Sequence, residues 1–401
     1  MTFSFFEVVA IHILPYNVVG YSGLVSDNAL LPVRLVLFQN LSIHFQKRTM
    51  KLTSLSLLAA AFATVAASPV SLNELTGANK TIEQPKATLD DADVNRKCHT
   101  VNSDYLPSLA PGAYGSSAYH NCFRTDAQVD EYLDVLVKQN AGALHCKPFV
   151  SYQGVGLPIW AYKISTGARP SSLYLHALLH AREWVATSSA VHTISTILDN
   201  IAKPTPTDTH DLIIVPLVNV DGYRMTWSGA RYQRKSANEV DLNRNWYTPI
   251  ANPKPPSPSS LIYPGPTYFS EKETMGLRDY LLKNRASIDG YIDLHAFAAE
   301  VMAPFGDTKE PVGGGLDEKY KTMNTKIAKA MSNKYKPTLS HQMYLVYGSF
   351  MNYAVREFAG KPSITIEMDG TDFVEPASSI ITRGIRATND DLSMHWKNNT
   401  I

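Results

Sequence analysis

The chain has 401 residues, of which 44% are hydrophobic and 18% charged, and this is enough apolar material for a large core. Its formal net charge of +1 creates no overall field that would attract nucleic acid or an anionic membrane. We therefore expect a globular protein with no nucleic-acid partner and no stable membrane association.

The N-terminal region contains a secretion signal that begins inside the chain, at Met50. Lys51 supplies a positive charge, residues 52–63 are apolar, and small residues follow, which is the pattern of a signal peptide over residues 50–67. The first 49 residues are either a genuine cytosolic or membrane-anchoring extension or a non-native one. We favour Met50 as the true start, and we expect a secreted, extracellular protein.

Residues 68–117 are polar, with scattered proline, glycine, serine and aspartate, and they predict a short pro-segment or linker. Apolar runs with the spacing of helices and strands begin near residue 118, so we expect the catalytic domain to span residues 118–401. Two glycosylation sequons, at Asn79 and Asn398, suit a secreted glycoprotein.

The three cysteines, Cys98, Cys122 and Cys146, all precede the region where chemistry is expected. None of them therefore indicates a nucleophile or a metal ligand. In an oxidising compartment one pair should form a disulfide bond. We expect Cys122–Cys146, although the sequence alone does not fix the pairing.

From residue 118 onward, apolar strands alternate with segments of helical periodicity. The predicted helices are residues 127–140, 184–201, 271–284, 317–335 and 380–396. The predicted strands are residues 147–154, 159–165, 171–178, 211–220, 288–297 and 363–369. This alternation predicts one α/β domain with a mostly parallel sheet that is covered on both faces. Such sheets bind ligands beyond the carboxyl ends of their strands.

Four polar residues lie at or just after such strand ends, and they are candidates for a metal site. His180 and Glu183 follow one predicted strand, whereas His295 and Glu367 end two others. Each has an ordinary alternative: a surface pair at a helix start, a hydrogen-bonded core histidine, or a paired carboxylate. Two histidines and one carboxylate leave a tetrahedral zinc ion with an open position, and a further glutamate can act as a base.

A basic segment holds five further candidates: Arg231, Arg234, Asp241, Asn243 and Arg244. A basic surface loop is the common explanation of such a run. Here apolar residues flank the second half of the segment, which indicates that the loop folds inward. A partly buried arginine beside a metal site is suited to a bidentate grip on a carboxylate.

The strings HAREW, VNVDGY, DLNRNW, SEKET and TIEMD, in this order, resemble the pancreatic-type zinc metallocarboxypeptidases over roughly residues 118–396. In style the chain is similar to secreted fungal members that lack a full pro-domain. The resemblance implies a central mixed, mostly parallel eight-stranded sheet with helices on both faces. It also implies one zinc ion as cofactor.

Carried over by this resemblance, His180, Glu183 and His295 would bind the zinc ion. Asp241 would accept a hydrogen bond from the other ring nitrogen of His180 and so orient it. Glu367 would be the general base and would then pass the proton to the leaving amine.

The resemblance assigns the remaining residues to the substrate. Arg234 would stabilise the negative charge that develops on the scissile carbonyl. The implied substrate-binding residues are Arg182, Asn243, Arg244 and a tyrosine before a Gly-Ser step. Both Tyr344 and Tyr347 precede that step, and their spacing to it favours Tyr344.

Two features depart from the family pattern. Ala296 and Phe297 replace the Ser-Tyr pair that usually follows the third ligand, which removes hydroxyl groups but no catalytic group. Residues 68–117 are also too few for the large folded pro-domain of the family.

The sequence thus predicts a secreted, monomeric zinc metallocarboxypeptidase that acts on peptides or proteins with a free C-terminus. Phe350 would form the floor of the side-chain pocket, so we expect a preference for apolar or aromatic C-terminal residues. The alternatives are a catalytically impaired relative and a related zinc amidohydrolase. A metalloendopeptidase is disfavoured because the His-Glu-x-x-His string is absent.

Overall fold

The computed structural model of the protein describes residues 91–150, 158–202, 207, 209–358 and 361–374. These residues belong to one of two compact units of the chain, residues 66–401. The expected N-terminal extension, the signal peptide, both sequons and the predicted helix 380–396 lie outside the described residues.

Within the described residues, eight strands form a single sheet. They are β1 (Leu144–Val150), β2 (Ile159–Ile164), β3 (Ser172–Ala177), β4 (Asp211–Val215), β5 (Ile288–Ala296), β6 (Glu300–Ala303), β7 (Lys336–Leu339) and β8 (Ser363–Met368). Their spatial order is β1-β2-β4-β3-β5-β8-β6-β7. The central block β4-β3-β5-β8 is parallel, as is the β6-β7 pair, whereas the other neighbours are antiparallel. The predicted mixed, mostly parallel sheet is therefore confirmed.

In the part of the chain that the structure describes, seven α-helices pack against this sheet or beside it. They are α1 (Asp91–Val101), α2 (Asp126–Gln139), α3 (Trp184–Asp199), α4 (Val220–Trp227), α5 (Lys272–Asn284), α6 (Leu316–Met331) and α7 (Phe350–Glu357). Every residue of β3 and β4 is buried, as expected for strands that are covered on both faces. None of the described helices combines the length and the apolar character needed to cross a membrane.

The prediction for residues 211–220 was only half right. Strand β4 ends at Val215, immediately before Pro216, whose missing N–H cannot continue the ladder. Five residues later a helix begins, because the Asn219 side chain caps it by accepting from the Gly222 N–H. Strands β6 and β7 and helices α1, α4 and α7 were not predicted, since each is short or lies in a polar segment.

The N-terminal part of the described chain is packed into the core. In the stretch expected to be a pro-segment or linker, α1 buries Ala92, and Tyr105 and Tyr114 are also buried. A disulfide bond joins Cys98 of α1 to Cys122. The expected Cys122–Cys146 pairing is therefore wrong, because the partner of Cys122 comes from this unpredicted helix.

Candidate active site

Three elements bring the predicted metal ligands to the carboxyl ends of the central strands. His180 lies three residues after β3, beyond Leu178, whose φ of +66° turns the chain sharply. Glu183 is the N-cap residue of α3. His295 and Glu367 are directly opposite each other in the parallel pair β5-β8, so their side chains share one face of the sheet.

The side chains of His180, Glu183 and His295 converge and are buried. One potential ligand atom from each lies within 4.8 Å of the others. The Glu183 carboxylate is 2.9 Å from Nδ1 of His180 through Oε1 and 2.8 Å from Nδ1 of His295 through Oε2. The two histidines therefore turn the same ring nitrogen toward one carboxylate.

The opposite ring nitrogens are held by two buried aspartates. Nε2 of His180 lies 3.0 Å from Asp241, and Nε2 of His295 lies 2.8 Å from Asp293. Carboxylates in this position fix the tautomer of a metal-ligating histidine and increase its basicity. Both imidazoles are thus oriented from behind, with Nδ1 left for a ligand.

These residues fit a zinc ion by their chemistry and their surroundings. Two imidazoles and one carboxylate are the donor set of catalytic zinc sites that keep a fourth position open. The trio is buried, each imidazole is oriented by a carboxylate behind it, and the site opens into a cavity. Zinc would be held by His180, Glu183 and His295.

Protonation inside the trio is uneven in the absence of a cation. Burial alone would lower the pKa of His295, but the carboxylates of Asp293 and Glu183 outweigh it and hold that pKa well above its ordinary value. Burial and the Arg234 guanidinium lower the pKa of His180. Burial would raise the pKa of Glu183, but the two histidines outweigh it and keep that carboxylate ionised. His295 therefore carries the exchangeable proton of the cluster.

Zinc binding should accordingly weaken as the pH falls. A ligand histidine must be neutral, so binding expels the His295 proton throughout the range below its raised pKa. We expect the zinc dissociation constant to rise about tenfold for each unit of pH decrease. Competition with a chromophoric chelator at several pH values measures this. A dissociation constant that does not change with pH, once chelator protonation is corrected, would contradict the assignment.

Glu367 and Arg234 border the trio from two sides. Glu367 lines the same cavity, and burial raises its pKa to about 8, with the Glu183 charge acting in the same direction. Arg234 is buried, and Asp241 accepts hydrogen bonds from its Nε and Nη2 at 3.0 and 2.9 Å. The remaining Nη1 lies 3.2 Å from Nδ1 of His180. The positively charged Arg234 guanidinium is thus fixed beside the predicted metal position.

Arg244 and Asn243 line the same cavity but differ in their hydrogen bonds to the rest of the protein. Arg244 donates one N–H to the carbonyl of Asn243. The Asn243 amide donates to Asp293 and accepts from the Phe350 backbone N–H at 2.8 Å. The hydrogen-bonding groups of the Asn243 side chain are therefore largely used within the protein. Gly348, with a φ of +71°, lies against the Arg244 backbone, and only glycine fits there because a Cβ would stand 2.3 Å from the Arg244 carbonyl oxygen.

The trio opens into a cavity of about 150 Å³. Besides the residues already described, its walls include Phe297, Glu300, Met302, Ser340, Met343, Tyr344, Val346, Ser349, Met351, Thr365 and Phe373. Tyr344 belongs to this wall, whereas Tyr347 is not among its lining residues.

The prediction that Phe350 forms the pocket floor was wrong. Phe350 is the first residue of α7, and its ring turns into the core, where it packs on His176 and Trp246 at centroid distances of 4.3 and 4.9 Å. The next residue, Met351, points into the cavity instead. A helix rotates successive side chains by about 100°, so a shift of one residue exchanges core for pocket.

Arg182 is buried and is not one of the cavity-lining residues. Its guanidinium carbon lies 3.8 Å from the centroid of the Phe373 ring, which covers it from the cavity side. Its Nε and Nη2 have no hydrogen-bond partner within the described part of the chain. The structure thus places Arg182 behind the wall of the cavity.

Two residues of the site were missed from the sequence, Asp293 and His176. Asp293 accepts from His176 Nε2 at 2.9 Å and also contacts His295 and Asn243. Asp293 precedes His295 by two residues on β5, and His176 is opposite Asp293 in the β3-β5 pairing. Because side chains two apart on a strand share a face, this alternation was a usable signal.

Comparisons with known proteins agree with this geometry. The sequence profile described as zinc carboxypeptidase matches residues 129–388. Mouse carboxypeptidase A4 is 28% identical over 327 residues, which cover 75% of this chain and 74% of the mouse protein. Carboxypeptidase B of the crayfish Astacus astacus is 26% identical over 303 residues, covering 67% of this chain and 93% of that protein.

A solved structure shows the same fold. The crystal structure of carboxypeptidase A from Helicoverpa armigera superimposes with a TM-score of 0.63, at 21% identity, covering 75% of this chain and 78% of that one. At this identity the likeness concerns the fold alone. The relatives carry both A and B names, so names do not decide which substrates this chain prefers.

Proposed function

This chain belongs to the zinc carboxypeptidase family, and we propose that it is a secreted enzyme that removes single residues from the free C-terminus of peptides and proteins. One observation carries the proposal. The buried His180–Glu183–His295 trio, the carboxylate of Glu367 and the guanidinium of Arg244 all face a single cavity.

Glu367 is the residue best placed to move protons. A bound zinc ion would act as a Lewis acid and make water nucleophilic near neutral pH. Glu367 is on the strand next to His295, in register with it, and outside the ligand trio. It would take a proton from the attacking water and deliver it to the departing amine.

Arg234 would stabilise the charge that develops on the scissile carbonyl oxygen. Asp241 holds the guanidinium through two hydrogen bonds, so the cation is oriented before substrate arrives. Preorganised donors of this kind are worth roughly a hundredfold to a thousandfold in turnover.

Arg244 and Tyr344 would hold the terminal carboxylate of the substrate. A guanidinium offers a planar fork of donors that matches a carboxylate. An internal peptide bond presents no such anion, so this grip would make the enzyme an exopeptidase. Asn243 is committed to Asp293 and Phe350, so its role would be chiefly to support the segment that carries Arg244.

Replacing Arg244 with alanine should chiefly weaken substrates that have a free C-terminus. Loss of hydrogen bonds to a charged group costs about 1.5–3 kcal/mol, or roughly tenfold to a hundredfold in kcat/KM. The same peptides with amidated C-termini are the matched control and should change little. An Arg244→Ala enzyme with an undiminished preference for acids over amides would refute the grip. Arg244→Lys, which keeps the charge but not the fork, should recover only part of the loss.

The walls of the cavity favour apolar side chains at the C-terminal position. Met302, Met343, Val346 and Met351 line the cavity, and methionine adapts to varied apolar shapes. We therefore keep the proposed preference for apolar or aromatic residues, although it rests on Met351 rather than on Phe350.

Short peptides that differ only in their last residue test this preference. Those ending in Phe or Leu should be cleaved faster than those ending in Arg or Lys. Met351→Asp should then shift the ratio toward the basic residues, because it introduces a carboxylate into the pocket. Fastest cleavage of the basic peptides by the unaltered enzyme would end the proposal.

Secretion is supported by the disulfide bond between Cys98 and Cys122, since disulfides persist mainly in oxidising compartments. We propose that the signal peptide over residues 50–67 directs export and that the enzyme acts as a monomer outside the cell. The folded catalytic body would include α1 as well as residues 118–401, because α1 is tied to it covalently.

A further inference from the structure

Helix α1 reaches the substrate cavity through one buried ion pair. Asp91, its first residue, and Arg231 are 3% and 6% exposed. Arg231 Nε donates to the Asp91 carboxylate at 2.6 Å. A buried guanidinium needs such a partner, because burial without one is costly.

The same guanidinium ties together two loops that border the cavity. Its Nη1 donates to the Arg182 carbonyl at 2.8 Å, and its Nη2 donates to the Phe373 carbonyl at 2.5 Å. Its guanidinium carbon lies 3.8 Å from the ring centroid of Trp184, the residue that follows Glu183. Arg231 thus joins α1 to the loop of the metal ligands and to the segment after β8.

Phe373 is the end of this chain of contacts that touches the cavity. Its ring covers the Arg182 guanidinium and meets Phe297 edge-on at a centroid distance of 4.9 Å. Phe297 and Phe373 both line the cavity. With the terminal carboxylate of a substrate held at Arg244, as proposed above, this aromatic pair offers an apolar part of the cavity wall to the residues that precede the scissile bond.

We propose that Asp91 is a positioning residue that acts through Arg231 to hold Phe373, and the Arg182 segment beneath it, in place for the upstream part of the peptide. The inference rests on the proposed function, because it assumes a peptide in the cavity. It makes α1 a permanent part of the working enzyme, so any processing that preserves activity must cut the chain before Asp91. Loss of the Asp91 charge would leave Arg231 unpaired, and the Phe373 carbonyl would lose a fixed donor.

Substrates of two lengths distinguish a positioning role of Asp91 from a general effect on the stability of the fold. A blocked dipeptide and a longer peptide with the same last two residues are compared. The readout is kcat/KM of the longer peptide divided by kcat/KM of the dipeptide. This ratio does not depend on how much of each preparation is folded. Asp91→Asn should lower the ratio roughly threefold to thirtyfold, the range found for residues that act at a distance, mainly through KM of the longer peptide.

Two further variants make the test decisive. Asp91→Asn combined with Arg231→Gln removes both charges, which avoids an orphaned cation, and it should lower the ratio similarly. Asp93→Asn changes an exposed carboxylate of the same helix and should leave the ratio unchanged.

Equal losses on both substrates, or a normal ratio in the double variant, would overturn the positioning role. So would an active enzyme whose mass shows that it begins after Asp91. If the unaltered protein cleaves neither peptide in the presence of zinc, the proposed function itself is wrong and the inference falls with it.

Discussion

Glu367→Gln should retain its zinc and lose nearly all turnover. The substitution keeps the size and hydrogen-bonding shape of the side chain but removes the base that accepts a proton from water. General acid–base groups contribute roughly a hundredfold to ten-thousandfold, and a fall in kcat of that size is expected. Burial raises the pKa of Glu367 to about 8, a value suited to a group that accepts and then donates a proton near neutral pH.

The matched control is Glu300→Gln. Glu300 lines the same cavity and is directly opposite Glu367 in the β6-β8 pair, but it is not assigned to the chemistry. This variant should retain turnover, and both variants should contain as much zinc as the unaltered protein. Substantial peptidase activity in Glu367→Gln would remove it from the role of general base.

Glu183→Ala should bind zinc far more weakly and should be inactive at ordinary zinc concentrations. Glu183 is the only member of the trio within hydrogen-bonding distance of both of the others, so its loss leaves two imidazoles without the shared carboxylate. Changing a residue that merely orients a ligand costs about tenfold to a hundredfold in metal affinity, so losing a ligand should cost more. Metal analysis after dialysis against a weak chelator measures the loss.

His210→Ala is the control for this experiment, because His210 is partly exposed and lies outside the trio. It should keep one zinc ion per chain. If Glu183→Ala also keeps one tightly bound ion, the metal lies elsewhere and the trio is only a buried hydrogen-bond network.

Much of the fold could be predicted because long apolar runs have few alternatives. The runs that became β2, β3, β5 and β8 were identified with nearly correct bounds, and β3, β5 and β8 are buried along almost their whole length. The run at residues 211–220 was overextended because apolar character continues past Pro216, whereas the strand ends at Val215. Short strands such as β6, with four residues, give too little pattern to recognise.

The site was predictable where chemistry demands unusual residues at strand ends. Buried histidines and carboxylates are costly without partners, so their positions in the sequence carried information about the trio. The details that failed depend on rotation or on pairing across the chain. Phe350 and Met351 differ by one step of a helix, and the partner of Cys122 lies in a helix that local sequence did not predict.

The central claim is that His180, Glu183 and His295 bind one zinc ion beside Glu367. Diffraction from crystals of the purified protein, recorded on both sides of the zinc absorption edge, tests it most directly. We expect one anomalous peak per chain, within bonding distance of Nδ1 of both histidines and of the Glu183 carboxylate. A zinc-replete crystal with no peak between these side chains, or with its peak at other residues, would contradict it.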